Sequence, residues 1–74
     1  MDVVLTARCV EVAGDRDMGD KLRHLVGKLV LKAERATFRL PNGVVVDIDA
    51  RGVYNEGPVL VLHGPNLRYQ FILV

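Results

Sequence analysis

In the second half of the chain apolar and polar residues alternate with period two, and that alternation alone sets out a first hairpin. Pro41-Asn42-Gly43 sits at its centre. Pro41 presets the first turn dihedral, and Gly43 suits the positive-φ position of a bulged three-residue loop. This register places Leu40 opposite Val44, Phe38 opposite Val46 and Ala36 opposite Ile48, giving one wholly apolar face. The other face pairs Arg39 with Val45, Thr37 with Asp47 and Arg35 with Asp49, where cross-strand Arg–Asp pairing is expected. A slip of one residue would mix the two faces, so pattern and turn chemistry support each other.

Alternation fails in the next apolar stretch. Val59-Leu60-Val61-Leu62 and Tyr69-Gln70-Phe71-Ile72-Leu73-Val74 flank His63-Gly64-Pro65-Asn66-Leu67, whose Gly-Pro-Asn marks a turn. Large aliphatic residues occupy both faces of these strands, and strands of that kind are normally covered on both sides. The second hairpin is therefore expected in the middle of a sheet or in a subunit interface. Between the hairpins, residues 51–58 carry turn formers at both ends and read as a loop holding Tyr54.

The first half predicts a strand and a helix. Val3, Leu5, Ala7 and Cys9 share one face of a strand over residues 3–12, and Val10 and Val12 lie on the other parity. A bulge after Cys9 would account for the switch. Asp17 then suits a helix N-cap, with Asp20 in the first turn. Met18, Leu22, Leu25, Val26, Leu29 and Ala33 form an apolar stripe about 100° wide on a helix over residues 18–33. Leu31 falls on the far side of that wheel, which leaves open a helix that stops near Leu29 to Leu31 with residues 31–40 as a longer strand, and Gly27 costs the helix about 1 kcal/mol relative to alanine.

These elements give an α+β domain, β-α-β-β-β-β, with one amphipathic helix packed on a mainly antiparallel sheet of about five strands. One helix covers only part of one face, which leaves apolar sheet over. The chain has 74 residues, 50% of them hydrophobic and 26% charged, enough for a single globular domain over residues 1–74. A core of that size yields only about 3–5 kcal/mol, which favours oligomerisation. Cys9 is the single cysteine, so neither an internal disulfide nor a thiolate metal cluster is expected, and it reads as a small buried hydrophobe. No apolar run reaches the ~18 residues of a membrane span, and Asp2 argues against a secretory leader, so a cytoplasmic protein is expected.

Charge refines this picture. The net charge is +1, but Asp20 to Arg35 carries five positive and two negative residues. On the predicted helix, Lys21, His24, Lys28, Lys32 and Arg35 lie opposite the apolar stripe, as a solvated face or a surface for phosphate backbones or acidic partners. A sequence pI near 7.9 and the lack of interleaved stacking aromatics weigh against a dedicated nucleic-acid-binding domain. Asp47 and Asp49 share a strand face, with Glu56 and His63 as further candidates for metal binding or acid–base work. The expected Arg35–Asp49 pair makes structural ion pairing the simpler role, and no metal or cofactor is expected.

The segment Val59-Leu60-Val61-Leu62-His63-Gly64-Pro65-Asn66-Leu67 resembles the opening strand and loop of type II dehydroquinases over those nine residues. In that family a much longer doubly wound domain with the catalytic tyrosine, arginine and histidine follows this segment. Only seven residues follow Leu67 here, so the resemblance assigns no catalytic residue to this chain. With no nucleophile–base pair and no glycine-rich phosphate loop, the sequence points to a non-enzymatic interaction or accessory protein. Its valine- and arginine-rich composition suggests a small phage-encoded protein acting in host cytoplasm. Self-association or binding of a partner protein is expected through Val59, Val61, Tyr69, Phe71 and Ile72. The alternative is a nucleic-acid-binding module using the basic face of helix 18–33.

Overall fold

Valine, a strand former, is the commonest residue of this chain, and most of the chain is strand. The computed structural model describes residues 2–33 and 35–74. The elements run β1 (Val3–Ala13), α1 (Arg16–Leu22), β2 (Val26–Leu31), β3 (Ala36–Arg39), β4 (Val45–Ile48), β5 (Gly52–Glu56), β6 (Val59–His63) and β7 (Arg68–Leu73). All seven strands belong to one sheet in the order β4-β3-β2-β1-β7-β6-β5, antiparallel at every step. The expected α+β fold with a long helix on about five strands is thus replaced by a nearly all-β one.

The helix expected over residues 18–33 is the main correction. Asp15, not Asp17, caps α1: its carboxylate accepts the Met18 N–H at 3.1 Å. After seven helical residues Arg23 turns extended and His24 takes φ +71°, which stops the helix. Residues 26–31 then pair as a strand with both β1 and β3. An isolated helix gains stability only with length, and here Val26-Gly27-Lys28-Leu29-Val30-Leu31 gains two hydrogen-bonded ladders instead. Leu31, the misfit on the helical wheel, lies between Val3 and Ala36 in the ladders. The second correction concerns residues 51–58. Gly52–Glu56 is strand β5, joined to β6 through Gly57-Pro58, with Gly57 at φ +62° in the loop position where tight hairpins favour glycine.

Other expectations hold. The first hairpin has the register read from the sequence, with Ala36 opposite Ile48, Phe38 opposite Val46 and Arg39 opposite Val45. The ladder between β1 and β7 shifts register between Cys9 and Glu11, so Val10 is the extra residue of a bulge. β6 and β7 are interior strands, each paired on both sides.

The sheet is strongly curled. Phe38 on β3 and Phe71 on β7 are three strands apart, a separation of about 14 Å in a flat sheet. Their ring centroids are nevertheless 5.0 Å apart, tilted by 58°. Topology explains the closure. Six antiparallel steps separate β4 from β5, so the two strands run in the same direction, yet only Asp49-Ala50-Arg51 join them. Three residues cannot run back along the barrel, so β4 and β5 are successive halves of one bent run. The first half pairs with β3 and the second with β6, which curls the sheet into a barrel of six staves that keeps β4 and β5 as free edges. Ala50 at the bend is buried in the core, and the Arg51 N–H donates to the His63 carbonyl at 2.9 Å. Side chains fill the interior: Phe38, Phe71, Leu29, Ile48, Leu62 and Cys9 are all essentially inaccessible.

Candidate functional site

With the interior packed, any binding work falls to the outer surface and the strand edges. The five residues expected to form an apolar association surface separate into two groups. Tyr69 and Phe71 point inward and belong to the core, and Val61 is completely covered on the outer face. Val61 is flanked by Tyr54 on β5 and Gln70 on β7. Glu56 and Arg68 stand at opposite corners around it, and the Arg68 guanidinium reaches both Glu56 carboxylate oxygens at 3.0 and 2.9 Å, so this ion pair lies across the valine. Ile72 is 37% exposed, and Val59 opposite it is half-buried. Those two remain available at the surface, beside Tyr54 at 43% exposure.

The free edges are the second feature. β4 is a short edge of four residues carrying Asp47, which blunts it against pairing. β5 lies against β6 alone, and every residue from Val53 to Glu56 is exposed. It contains neither proline nor lysine, and its one charge, Glu56, is engaged by Arg68. Next to a two-residue loop the flanking pair exchanges both backbone hydrogen bonds, so Glu56 and Tyr54 direct theirs to β6. Val53 and Asn55 therefore point their N–H and C=O groups away from the barrel.

The basic residues assigned to one helix face do not share a face. Lys21 lies on α1, His24 in the turn after it, Lys28 on β2, and Lys32 and Arg35 flank the β2–β3 turn, where the Lys32 N–H donates to the Arg35 carbonyl at 2.8 Å. The barrel instead gathers Lys28 with Arg39, directly opposite on β3, and with Arg8 on β1. Arg8 and Arg39 join Lys28 only through strand pairing across the chain, which local spacing does not reveal.

The carboxylates are only partly brought together: Asp47 and Asp49 line one cleft with Arg35. Asp47 lies on the outer face of β4, Asp49 in the bend, Glu56 under Arg68, and His63 is exposed at the end of β6. Arg35 and Asp49 line one open cleft, but the expected ion pair between them does not form. Among the described residues no three His, Cys, Asp or Glu side chains are placed to hold a metal ion. No described helix is long and apolar enough to cross a membrane.

Comparison of the chain with protein-family models, with curated proteins and with solved structures returns no match.

Cys9 is fully buried on the inner face of β1. Burial, reinforced by the Glu11 carboxylate, pushes its thiol from 9.0 up to about 11. Burial also raises the Tyr69 hydroxyl, with Asp15 and the Cys9 thiolate acting in the same direction. Both groups prefer their neutral forms in the fold: the stability from Cys9 is complete below about pH 9 and is lost as pH rises towards 11, and that from Tyr69 begins to be lost only above pH 10. Urea midpoints are expected to fall between pH 8.5 and 10.5, and the fall is expected to be shallower in Cys9→Ala. An equal fall in both proteins would remove Cys9 from this account.

Proposed function

We propose that this protein is a small non-enzymatic binding module that self-associates edge to edge through β5. The observation that carries the reading is the unguarded β5 edge, because an exposed row of unpaired backbone groups is a template for another strand. A second copy fits it. In an antiparallel pair about a two-fold axis at Tyr54, Val53 of one copy exchanges both backbone hydrogen bonds with Asn55 of the other, and the reverse. The two Tyr54 rings then form a cross-strand pair on the outer face, beside Ile72 and Val59. Glu56 comes opposite Gly52, so no like charges meet.

Magnitudes limit the affinity. Four net hydrogen bonds of about 0.5–1.5 kcal/mol each, with one aromatic pair, only modestly exceed the lower estimates of association cost. A dissociation constant in the micromolar to millimolar range is therefore expected.

Asn55→Pro tests the arrangement. Its N–H points away from β6, so proline is tolerated by the barrel but blocks the edge. Sedimentation velocity over a wide concentration range is expected to show a reversible monomer–dimer equilibrium for the native chain. Asn55→Pro is expected to be a monomer with unchanged circular dichroism. A native chain that stays monomeric throughout, or a dimer that survives the proline, would remove the β5 edge from the proposal.

A further inference from the structure

Across the outer face of the barrel, well away from β5, the strands place like charges together. Lys28 on β2 lies directly opposite Arg39 on β3, an arrangement that destabilises an antiparallel pair. Arg8 on β1 stands opposite Val26, one step diagonal from Lys28 on the same face. All three side chains are exposed. The Lys28 ammonium donates to the Thr6 hydroxyl, 2.6 Å away, and among the described residues no carboxylate lies within ion-pairing distance of it.

Among the described residues the nearby acids do not pair with these cations. Glu11 binds Arg23 at 3.0 Å, and Asp47 shares the outer face one row beyond Arg39 without forming an ion pair with it. Among the described residues, the guanidinium groups of Arg8 and Arg39 make no side-chain hydrogen bond. Each therefore has its full set of donors facing outward. The result is a strip of three uncompensated cations on three adjacent strands, which lowers the stability of the free protein.

From this strip we infer a second binding site, for the phosphodiester backbone of a nucleic acid. Three cations at strand spacing suit successive phosphates of one strand. The strip crosses three strands of a curved surface, ending at the last residue of β3, and α1, at seven residues, points no recognition helix into a groove. No aromatic ring belongs to this strip: Tyr54, the exposed one, lies on β5, and Phe38, Tyr69 and Phe71 face the core. Recognition is therefore electrostatic and independent of sequence, without base stacking. This site does not rest on dimerisation through β5.

Fluorescence anisotropy with a labelled single-stranded oligonucleotide of mixed sequence tests it. Neutralising three phosphates of a single strand predicts a slope of log K against log salt near −2, from about 0.7 per phosphate. Lys28→Glu and Arg39→Glu are each expected to weaken binding at least tenfold at low salt, while Lys21→Glu on α1 leaves it unchanged. Each reversal also converts a repulsive cross-strand pair into an attractive one, so Tm is expected to rise by about 1–5 °C as binding is lost. That opposite movement separates a binding strip from simple unfolding. The inference is overturned if the native chain shows no binding at low salt, or if Lys28→Glu binds as well as the native chain. It is equally overturned if a polyglutamate peptide of matched charge binds as tightly as the oligonucleotide, which would assign the strip to an acidic protein.

Discussion

Phe71→Ala is expected to leave the protein largely unfolded at 25 °C. Phe71 is completely buried on β7, a strand paired on both sides, opposite Cys9 on β1 and Leu60 on β6. Its ring meets Phe38 at 5.0 Å and lies parallel to Tyr69 at 6.4 Å, so it ties β3 to the β6–β7 side across the barrel interior. Truncating a buried phenylalanine costs about 3–5 kcal/mol, the lost transfer energy plus the cavity left behind. A single core in a chain this short supplies about 3–5 kcal/mol in total. The barrel has little means of closing the gap, because each stave is fixed by ladders to its neighbours. Urea denaturation followed by circular dichroism measures the loss directly. With a slope near 1 kcal/mol per molar urea for so small a chain, a midpoint within about 0.5 M of the native value would mean the core does not depend on the Phe38–Phe71 contact.

That contact explains what the sequence conveys and what it hides. The hairpin over residues 36–48 is readable because two independent signals, Pro-Asn-Gly chemistry and period-two alternation, specify one register, and that register forms. The bulge at Val10 is readable because it shifts the apolar parity of β1. Residues 26–31 are not, because their apolar positions satisfy both periods. Leu22, Leu25, Val26 and Leu29 suit a helical stripe, while Leu29 and Leu31 alternate as a strand requires. What decides between them is the pairing of β2 with β1 and β3, which no local window contains. β5 is hidden for a different reason. Gly52 and Gly57-Pro58 are punctuation for a loop, but they also bracket a five-residue strand, and Val53-Tyr54 is its only β-prone pair.

The apolar excess on β6 has its answer in the same place. Leu60 and Leu62 face the core, whereas Val61 faces outward and is covered by Tyr54, Gln70 and the Glu56–Arg68 pair. A sheet that curls on itself supplies the cover that a flat sheet would take from helices. The cationic strip follows the same logic. Lys28 stands out in the sequence among basic neighbours, but Arg8 and Arg39 join it only through two strand pairings. Lys21, Lys32 and Arg35 are close to it in sequence and separate in the fold.

Gly27→Ala is expected to destabilise the protein by more than about 2 kcal/mol, against the intrinsic preference of a strand. In a strand interior glycine is about 0.5–1 kcal/mol worse than alanine, so propensity alone predicts that this substitution stabilises β2. Geometry reverses the sign. Gly27 pairs with Ala7 on the inner face, where the curl of the sheet brings β3 over it. A β-carbon there would overlap the Arg39 carbonyl oxygen, and would stand 3.1 Å from the carbonyl carbon and 3.2 Å from the Phe38 ring. Backbone cannot move aside as a flexible side chain can, so β3 would have to lift from β2, and with it the ring that meets Phe71. Gly52→Ala is the matched control: it also lies in a strand, and the nearest atom to its added β-carbon is the His63 Cβ at 3.9 Å. Gly52→Ala is expected to be neutral or slightly stabilising in urea denaturation, and Gly27→Ala to lose much of the native stability. Equal midpoints for the two variants would mean that β3 does not cross Gly27 closely, and the tight closure of the barrel at that point would have to be given up.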